Sequence, residues 1–96
     1  MKIIYEPVAY EELREAIVWY LAEAGQRQAE ALSRDIDARL ALLMQHPQLG
    51  TPGASNMRRM PLRVFPYTLH YRVEGAIIRI FAVAHQKRRP GYWRNR

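Results

Sequence analysis

The hydrophobic period of this sequence changes from that of helices to that of strands between Pro47 and Gly53. Before this segment apolar residues recur every three or four positions, and after it they alternate with polar residues in steps of two. The segment 46–53, which contains proline and glycine, predicts a helix stop followed by a loop. A helical part followed by a part built of hairpin-linked strands is the pattern of an α+β domain.

Two helices are predicted after a short first strand at Lys2 to Tyr5. Pro7 suits the first turn of the first helix, and Gly25 interrupts its apolar pattern. The second helix is predicted over about 26–46 and is amphipathic, so the two helices form a hairpin in which each buries one stripe. The solvent-facing side of the second helix is predicted to carry the ion pairs Glu30–Arg34 and Asp35–Arg39.

Three further strands are predicted, over 59–64, 68–73 and 76–85, with Glu74 and Gly75 forming a tight turn between the last two. The last run is apolar on both faces and is therefore predicted to be the central strand of the sheet. The element order is therefore β-α-α-β-β-β. We expect one α+β domain over residues 1–96, with the helical hairpin packed on one face of a mostly antiparallel sheet.

Strand alternation predicts which side chains face the helices. The predicted helix-facing residues are Met60, Leu62, Val64, Leu69, Tyr71, Val73, Ile78 and Ile80. The opposite face is then predicted to receive Arg59, Arg63, His70, Arg72, Arg79 and His85, together with Phe81 and Val83. Six cationic or titratable side chains would thus share one face of the sheet.

Charge is divided unequally between the two halves of the chain. Residues 1–48 carry a net charge of −3, and residues 49–96 carry a net charge of +9 with Glu74 as their single acid. A field of this kind attracts an anionic partner, either nucleic acid or an acidic protein segment. The candidate anion- or partner-binding residues are Arg58, Arg59, Arg63, Arg72, Arg79, Lys87, Arg88, Arg89 and Trp93.

Several classes of chemistry are disfavoured by composition and spacing. The chain has no cysteine, so it has no disulfide framework, thiolate metal site or cysteine nucleophile. Its three histidines are spread over positions 46, 70 and 85, and no metal site is expected. No Gly-rich phosphate loop is present, and we expect no cofactor. The longest apolar run, 80–84, is too short to span a bilayer, and we expect a cytoplasmic protein that contacts no membrane.

Metal-free cleavage of RNA by its own 2′-hydroxyl remains compatible with these residues. Arg59 and Arg79 would hold a phosphate, His85 would exchange protons, and Tyr92 or Trp93 would stack on a base. Each of these residues also has a structural interpretation. Arg79 is equally explained as a paired structural arginine, and the two aromatic residues are better explained as a hydrophobic latch against the sheet. The strand arginines then solubilise a wet face.

Four groups of residues, in this order, give the chain a resemblance to a known family. They are Tyr5-Glu6-Pro7-x-Ala9; His46-Pro47-x-Leu49-Gly50; Arg58-Arg59 with Phe65-Pro66-Tyr67-x-x-x-Tyr71-Arg72-Val73; and Ala82-Val83-Ala84-His85-x-x-Arg88-x-Pro90-x-Tyr92-Trp93-x-x-Arg96. Together with the element order, they resemble the RelE/ParE superfamily, the toxins of bacterial type II toxin–antitoxin (plasmid stabilization) systems.

The resemblance implies a growth inhibitor that a cognate antitoxin neutralises in a heteromeric complex. ParE-like members poison DNA gyrase, whereas RelE-like members are mRNA interferases that cut mRNA on the ribosome without metal. The strand and C-terminal motifs are closer to the ParE side, and the loop 49–57 lacks the lysines of a RelE-type site. We therefore expect a gyrase inhibitor that acts by binding, with an endoribonuclease or a simple nucleic-acid-binding module as alternatives. In the endoribonuclease, the catalytic residues would be Arg59, Arg79, His85 and Tyr92.

Overall fold

The computed structural model describes residues 1–87, which form two helices packed against a five-stranded sheet. The helices are α1 (Pro7–Ala24) and α2 (Gln26–Gln45). The strands are β1 (Lys2–Tyr5), β2 (Thr51–Pro52), β3 (Arg58–Pro61), β4 (Tyr67–Glu74) and β5 (Ile77–His85), with a short 3-10 turn at Ala54–Asn56. The predicted α+β fold class is confirmed. The helices, β1, β4 and β5 agree closely with the predicted positions, whereas the strand predicted over 59–64 ends at Pro61.

The sheet has the strand order β1-β5-β4-β3-β2. β1 runs parallel to β5, and the other neighbouring strands are antiparallel. β5 is paired on both sides, but the prediction that it is the central strand was wrong, because β4 is the middle strand of the five. The two-residue strand β2 lies in the segment predicted as a loop, where it pairs with Arg58 and Arg59 at the edge of the sheet.

A single residue separates the two helices. Gly25 has φ of 94°, a conformation that costs little for glycine, and its N–H donates to the carbonyl oxygen of Tyr20. Pro7 occupies the first turn of α1, where its missing N–H needs no partner. Within residues 1–87, no helix is long and apolar enough to cross a membrane.

The core lies between the helices and one face of the sheet. Most of the predicted helix-facing residues are buried there: Met60, Leu62, Leu69, Tyr71, Ile78 and Ile80, with Val73 partly buried against them. Val64 was predicted to join them, but its side chain is 74% exposed. The prediction was wrong because β3 ends at Pro61, so Val64 lies in the turn that follows.

A β-bulge partway along β5 changes which face of the sheet its following side chains point to. Tyr71 pairs with Ile80, but His70 pairs with Ala82, so Phe81 is an extra residue in β5. The extra residue reverses the alternation beyond it. Val83, predicted on the face opposite the helices, is therefore buried in the core at 3% exposure.

The turn between β3 and β4 is held by a carboxylate from α2. Asp35 accepts hydrogen bonds from the backbone N–H groups of Arg63, Val64 and Phe65 at 3.1, 2.8 and 3.2 Å. The predicted solvent-facing pair with Arg39 was therefore wrong, because Asp35 is buried. Burial raises the pKa of Asp35, but the three backbone hydrogen bonds, together with the charge of Arg39, outweigh burial and the net pKa is lowered.

The segment after α2 is held by Tyr71. Its hydroxyl donates to the carbonyl oxygen of Pro47 and accepts from the N–H of Gly50, both at 2.8 Å. A Cβ on Gly50 would lie 2.6 Å from this hydroxyl oxygen, so the position needs glycine for close approach. Pro47, Gly50 and Tyr71, which belong to the motifs quoted above, therefore stabilise the fold through these contacts.

Candidate functional site

The sheet face opposite the helices collects most of the candidate cations of β3, β4 and β5. Leu69 and Tyr71 project into the core, so their neighbours His70 and Arg72 project the other way. Cross-strand partners share a face, which adds Arg59 and Arg79. We call this surface the distal face. Its residues are Lys2, Ile4, Arg59, His70, Arg72, Glu74, Ile77, Arg79 and Phe81.

Arg72 and Arg79 are directly opposite each other on β4 and β5, and Glu74 lies between them. The Arg79 Nε donates to Glu74 Oε1 at 2.8 Å, and an Arg72 terminal nitrogen lies 3.4 Å from Glu74 Oε2. The hydrogen bond from Arg79 is the main reason that the pKa of Glu74 is lowered. Like charges opposite each other destabilise a sheet, so Glu74 relieves a repulsion.

Two further contacts fix the arginines of this network. A terminal nitrogen of Arg79 lies 3.9 Å from Glu6 at the start of α1. The Arg72 guanidinium lies over the Phe81 ring at 5.0 Å and donates to the Ser55 carbonyl oxygen at 3.2 Å. The Arg72 Nε is buried and has no hydrogen-bond partner among the described residues.

The two neighbouring arginines of β3 point in opposite directions. Arg59 is exposed on the distal face, opposite His70. Arg58 lies on the helix side, where one terminal nitrogen donates to the carbonyl oxygens of Gln48 and Gly50 at 2.9 and 2.8 Å. Arg58 therefore holds the segment after α2. Arg63, predicted on the same face as Arg59, is exposed in the turn held by Asp35 instead.

His85 was predicted on the face that carries Arg79, and this was wrong. It lies two residues beyond Val83, after the bulge, and therefore on the helix side of the sheet. Its ring contacts Tyr67 edge to face at 5.1 Å, and its Nδ1 accepts from the backbone N–H of Lys87 at 3.1 Å. The histidine that the structure places on the distal face is His70.

A pocket of about 190 Å³ adjoins His85 where α1 crosses the end of β5. Its lining includes Glu12, Trp19 and Tyr67, and one Glu12 oxygen accepts from the backbone N–H of Val83 at 3.0 Å. The proposed proton-exchanging residue therefore lies among acidic and aromatic side chains, separated from the phosphate-binding arginines by the sheet.

The remaining candidates lie at or beyond the end of the described chain. Lys87 is exposed after β5. The candidates Arg88, Arg89, Tyr92 and Trp93 lie outside the described residues. Within residues 1–87, no group of three histidine or acidic side chains is arranged to hold a metal ion.

Sequence reasoning missed the part that Glu74 plays in the distal face. It treated Glu74 as a turn residue, whereas its carboxylate contacts both arginines of the network. A signal was present, because Glu74 is the single acid of residues 49–96 and follows Arg72 by two positions on the same strand face. Phe81 was placed on the correct face, where its ring contacts the Arg72 guanidinium.

The fold and the sequence can be compared with those of known proteins. A solved structure titled "Chromosomal ParDE TA system from P. aeruginosa" has a TM-score of 0.76 and 22% sequence identity, and the match covers 88% of this chain and 95% of that one. No curated protein matches the sequence. The model of the family described as "ParE toxin of type II toxin-antitoxin system, parDE" matches residues 3–90. The chain therefore belongs to the ParE toxin family of type II toxin–antitoxin systems.

Proposed function

We propose that this protein inhibits DNA gyrase by binding it and that a cognate antitoxin neutralises the inhibition. The match to the ParE toxin family over residues 3–90 is the observation that carries this proposal. Inhibition by binding needs a shaped, charged surface and no assembled catalytic group. The distal face supplies such a surface, with Arg59 exposed and Arg72 and Arg79 partly exposed.

The RelE-like alternative receives less support from the arrangement of its proposed catalytic residues. General acid–base cleavage of RNA requires the proton-exchanging group and the phosphate-binding cations to reach the same phosphate. His85 and Arg79 lie on opposite faces of the sheet, and Arg79 is already paired with Glu74. The proposed function therefore assigns no catalytic step to these residues.

The proposed antitoxin is a protein with an acidic, intermittently apolar segment that forms a heteromeric complex with this chain in the cytoplasm. Its charge would complement the excess of +9 in residues 49–96. The structural relative is titled as a ParDE system, which supports a partner of the ParD kind. An antitoxin that binds the folded chain and not the unfolded one would raise its melting temperature by mass action. An unchanged melting temperature in excess antitoxin would contradict this pairing.

Two assays run side by side test the mechanism. Purified protein is added to a gyrase supercoiling reaction and to a translating-ribosome reaction with labelled mRNA, each with and without the protein encoded beside it. We expect loss of supercoiling, restored by the antitoxin, and intact mRNA. Cleaved mRNA with normal supercoiling would replace the proposal with the endoribonuclease. Activity in neither assay, with steeply salt-dependent binding to nucleic acid, would indicate the simple binding module.

A further inference from the structure

We propose that Arg72 and Arg79 form a carboxylate-binding site on the distal face, and that Glu74 occupies this site in the free protein. An acidic peptide segment of a partner would place its own carboxylate there, in competition with Glu74. The inference rests on the proposed function only in taking the antitoxin as the source of that segment. The site itself consists of three side chains in mutual contact.

The carboxylate of Glu74 contacts the guanidinium groups of both Arg72 and Arg79, and it lies closer to Arg79 than to Arg72. Glu74 is 2.8 Å from the Arg79 Nε but 3.4 Å from the nearest Arg72 nitrogen. Arginine commonly binds a carboxylate through two parallel hydrogen bonds, and neither arginine makes such a bidentate pair with Glu74. The buried Arg72 Nε donates to no acceptor within residues 1–87. Burial keeps that nitrogen out of a partner's reach, but the Arg72 and Arg79 side chains are 34% and 27% exposed, so a second carboxylate would bind at the exposed parts of the two guanidinium groups.

The position of Glu74 makes it displaceable. It is the last residue of β4, next to the turn at Gly75, and its side chain is 33% exposed. Exposed ion pairs contribute little net free energy because solvent screens them. Glu74 can therefore rotate away without disturbing the core. Arg72 would stay fixed by Phe81 and Ser55, and Arg79 would keep Glu6 at 3.9 Å.

The surroundings favour a peptide over a nucleic acid. Ile4 of β1 pairs with Arg79, and Ile77 lies two residues before Arg79 on the same face. Apolar side chains beside the two arginines would contact alternate apolar residues of an extended peptide, but they offer nothing to a phosphate backbone. The carboxylate of Glu74 also shows that this chemical group fits between the two arginines.

The test compares Glu74→Gln with Glu23→Gln in the full chain. Both substitutions remove one negative charge, and Glu23 is exposed on α1, away from the sheet. The probe is a fluorescein-labelled peptide of about ten residues with alternating leucine and glutamate, the length of an extended recognition segment. Its dissociation constant is measured by fluorescence anisotropy at fixed salt, and circular dichroism checks that each variant is folded.

We expect Glu74→Gln to tighten peptide binding about fivefold, the scale of one partly exposed ion pair, and Glu23→Gln to change it less than twofold. Replacing Arg79 by alanine in the Glu74→Gln protein should remove this increase in peptide affinity. NMR signals of the arginine Nε–H groups give a second readout in case that double variant unfolds. On titration, the Arg79 signal should shift at a lower peptide concentration in Glu74→Gln than in the unsubstituted protein.

Equal changes in peptide affinity for Glu74→Gln and Glu23→Gln would overturn the proposal, because the increase in affinity would then reflect net charge alone. The proposal would also be overturned if the increased affinity persisted when Arg79 is replaced by alanine, or if the Arg79 Nε–H signal did not shift on addition of peptide. A gain for a ten-nucleotide RNA and none for the peptide would exclude the peptide as ligand. All these measurements use purified protein and a synthetic probe, so their failure would leave the gyrase assay unaffected.

Discussion

The carboxylate of Asp35 gives the sharpest stability prediction. In the Asp35→Asn variant the charge is lost, and one of the two acceptor oxygens becomes an NH₂ group that faces backbone donors. The bond to Val64 at 2.8 Å involves one oxygen shared with Phe65, and the bond to Arg63 involves the other. Whichever way the amide turns, at least one N–H group loses its acceptor: either that of Arg63, in a part-buried bond, or those of Val64 and Phe65, of which the second is buried.

The expected cost follows from these three bonds. Hydrogen bonds to a charged group contribute about 1.5–3 kcal/mol each, and an orphaned buried donor costs about 1–3 kcal/mol. The remaining oxygen of the asparagine still accepts part of the hydrogen bonding from the turn. We therefore expect a loss of about 3 kcal/mol in the free energy of unfolding. For a domain of this size that is a fall of roughly 12–24 °C in melting temperature.

Urea denaturation followed by circular dichroism measures the loss, with Asp37→Asn as the control. Asp37 lies two residues further along the same helix and is exposed, so its substitution should change the stability by less than about 0.5 kcal/mol. An Asp35→Asn protein as stable as the Asp37→Asn protein would refute the reasoning. It would mean that solvent replaces the carboxylate at the turn without cost.

Three further predictions concern packing and pH. Gly50→Ala places a Cβ 2.6 Å from the Tyr71 hydroxyl oxygen and should cost about 2 kcal/mol in urea denaturation, whereas Gly53→Ala has its nearest atom at 3.6 Å and should cost little. Because its folded pKa is lowered, Asp35 stabilises the protein above its unfolded pKa, so stability should fall as the pH drops below about 4, and the fall should be shallower in Asp35→Asn, as acid titrations would show. Val64→Ser should leave the melting temperature within a few degrees of that of the parent, because Val64 is 74% exposed; a large fall would place it in the core.

The elements of this fold could be predicted from the sequence because local patterns determine them. The first strand coincides with the predicted Lys2–Tyr5, and the second helix ends one residue before the predicted boundary, at Gln45. The helices follow from apolar residues at helical spacing and from Gly25 between them. The predicted anchors of the core, such as Leu69 and Ile80, are buried because alternation holds along each regular stretch of strand.

The bulge in β5 could not be predicted in this way. The residues from Ala82 to Ala84 are all small or apolar and all buried, so the sequence looks the same whichever face they take. The hydrophobic pattern of the sequence is therefore the same with or without an inserted residue at Phe81. It nevertheless decides the position of His85, and with it the relation between the predicted proton carrier and the arginines.

The roles of Asp35 and Glu74 depend on partners that local spacing does not reveal. Asp35 is four residues from Arg39, which on a helix predicts a solvent-facing pair, but its carboxylate bonds to a turn 28 to 30 residues away. Glu74 was assigned to a turn, and it meets Arg79 because that turn folds the two strands together. Both acids therefore acquire their roles from tertiary contacts.

The parallel pairing of β1 with β5 has a consequence for how the protein is made. Lys2 through Tyr5 are synthesised before the helices, but their neighbours in the sheet are Ile77 through Ile80, which are synthesised after the helices and the other strands. The helix pair can form early from local contacts, whereas the sheet is complete only when β1 and β5 have paired. A toxin with this topology completes its sheet, and with it the distal face, late in translation. Until β5 has been synthesised, β1 has no strand to pair with.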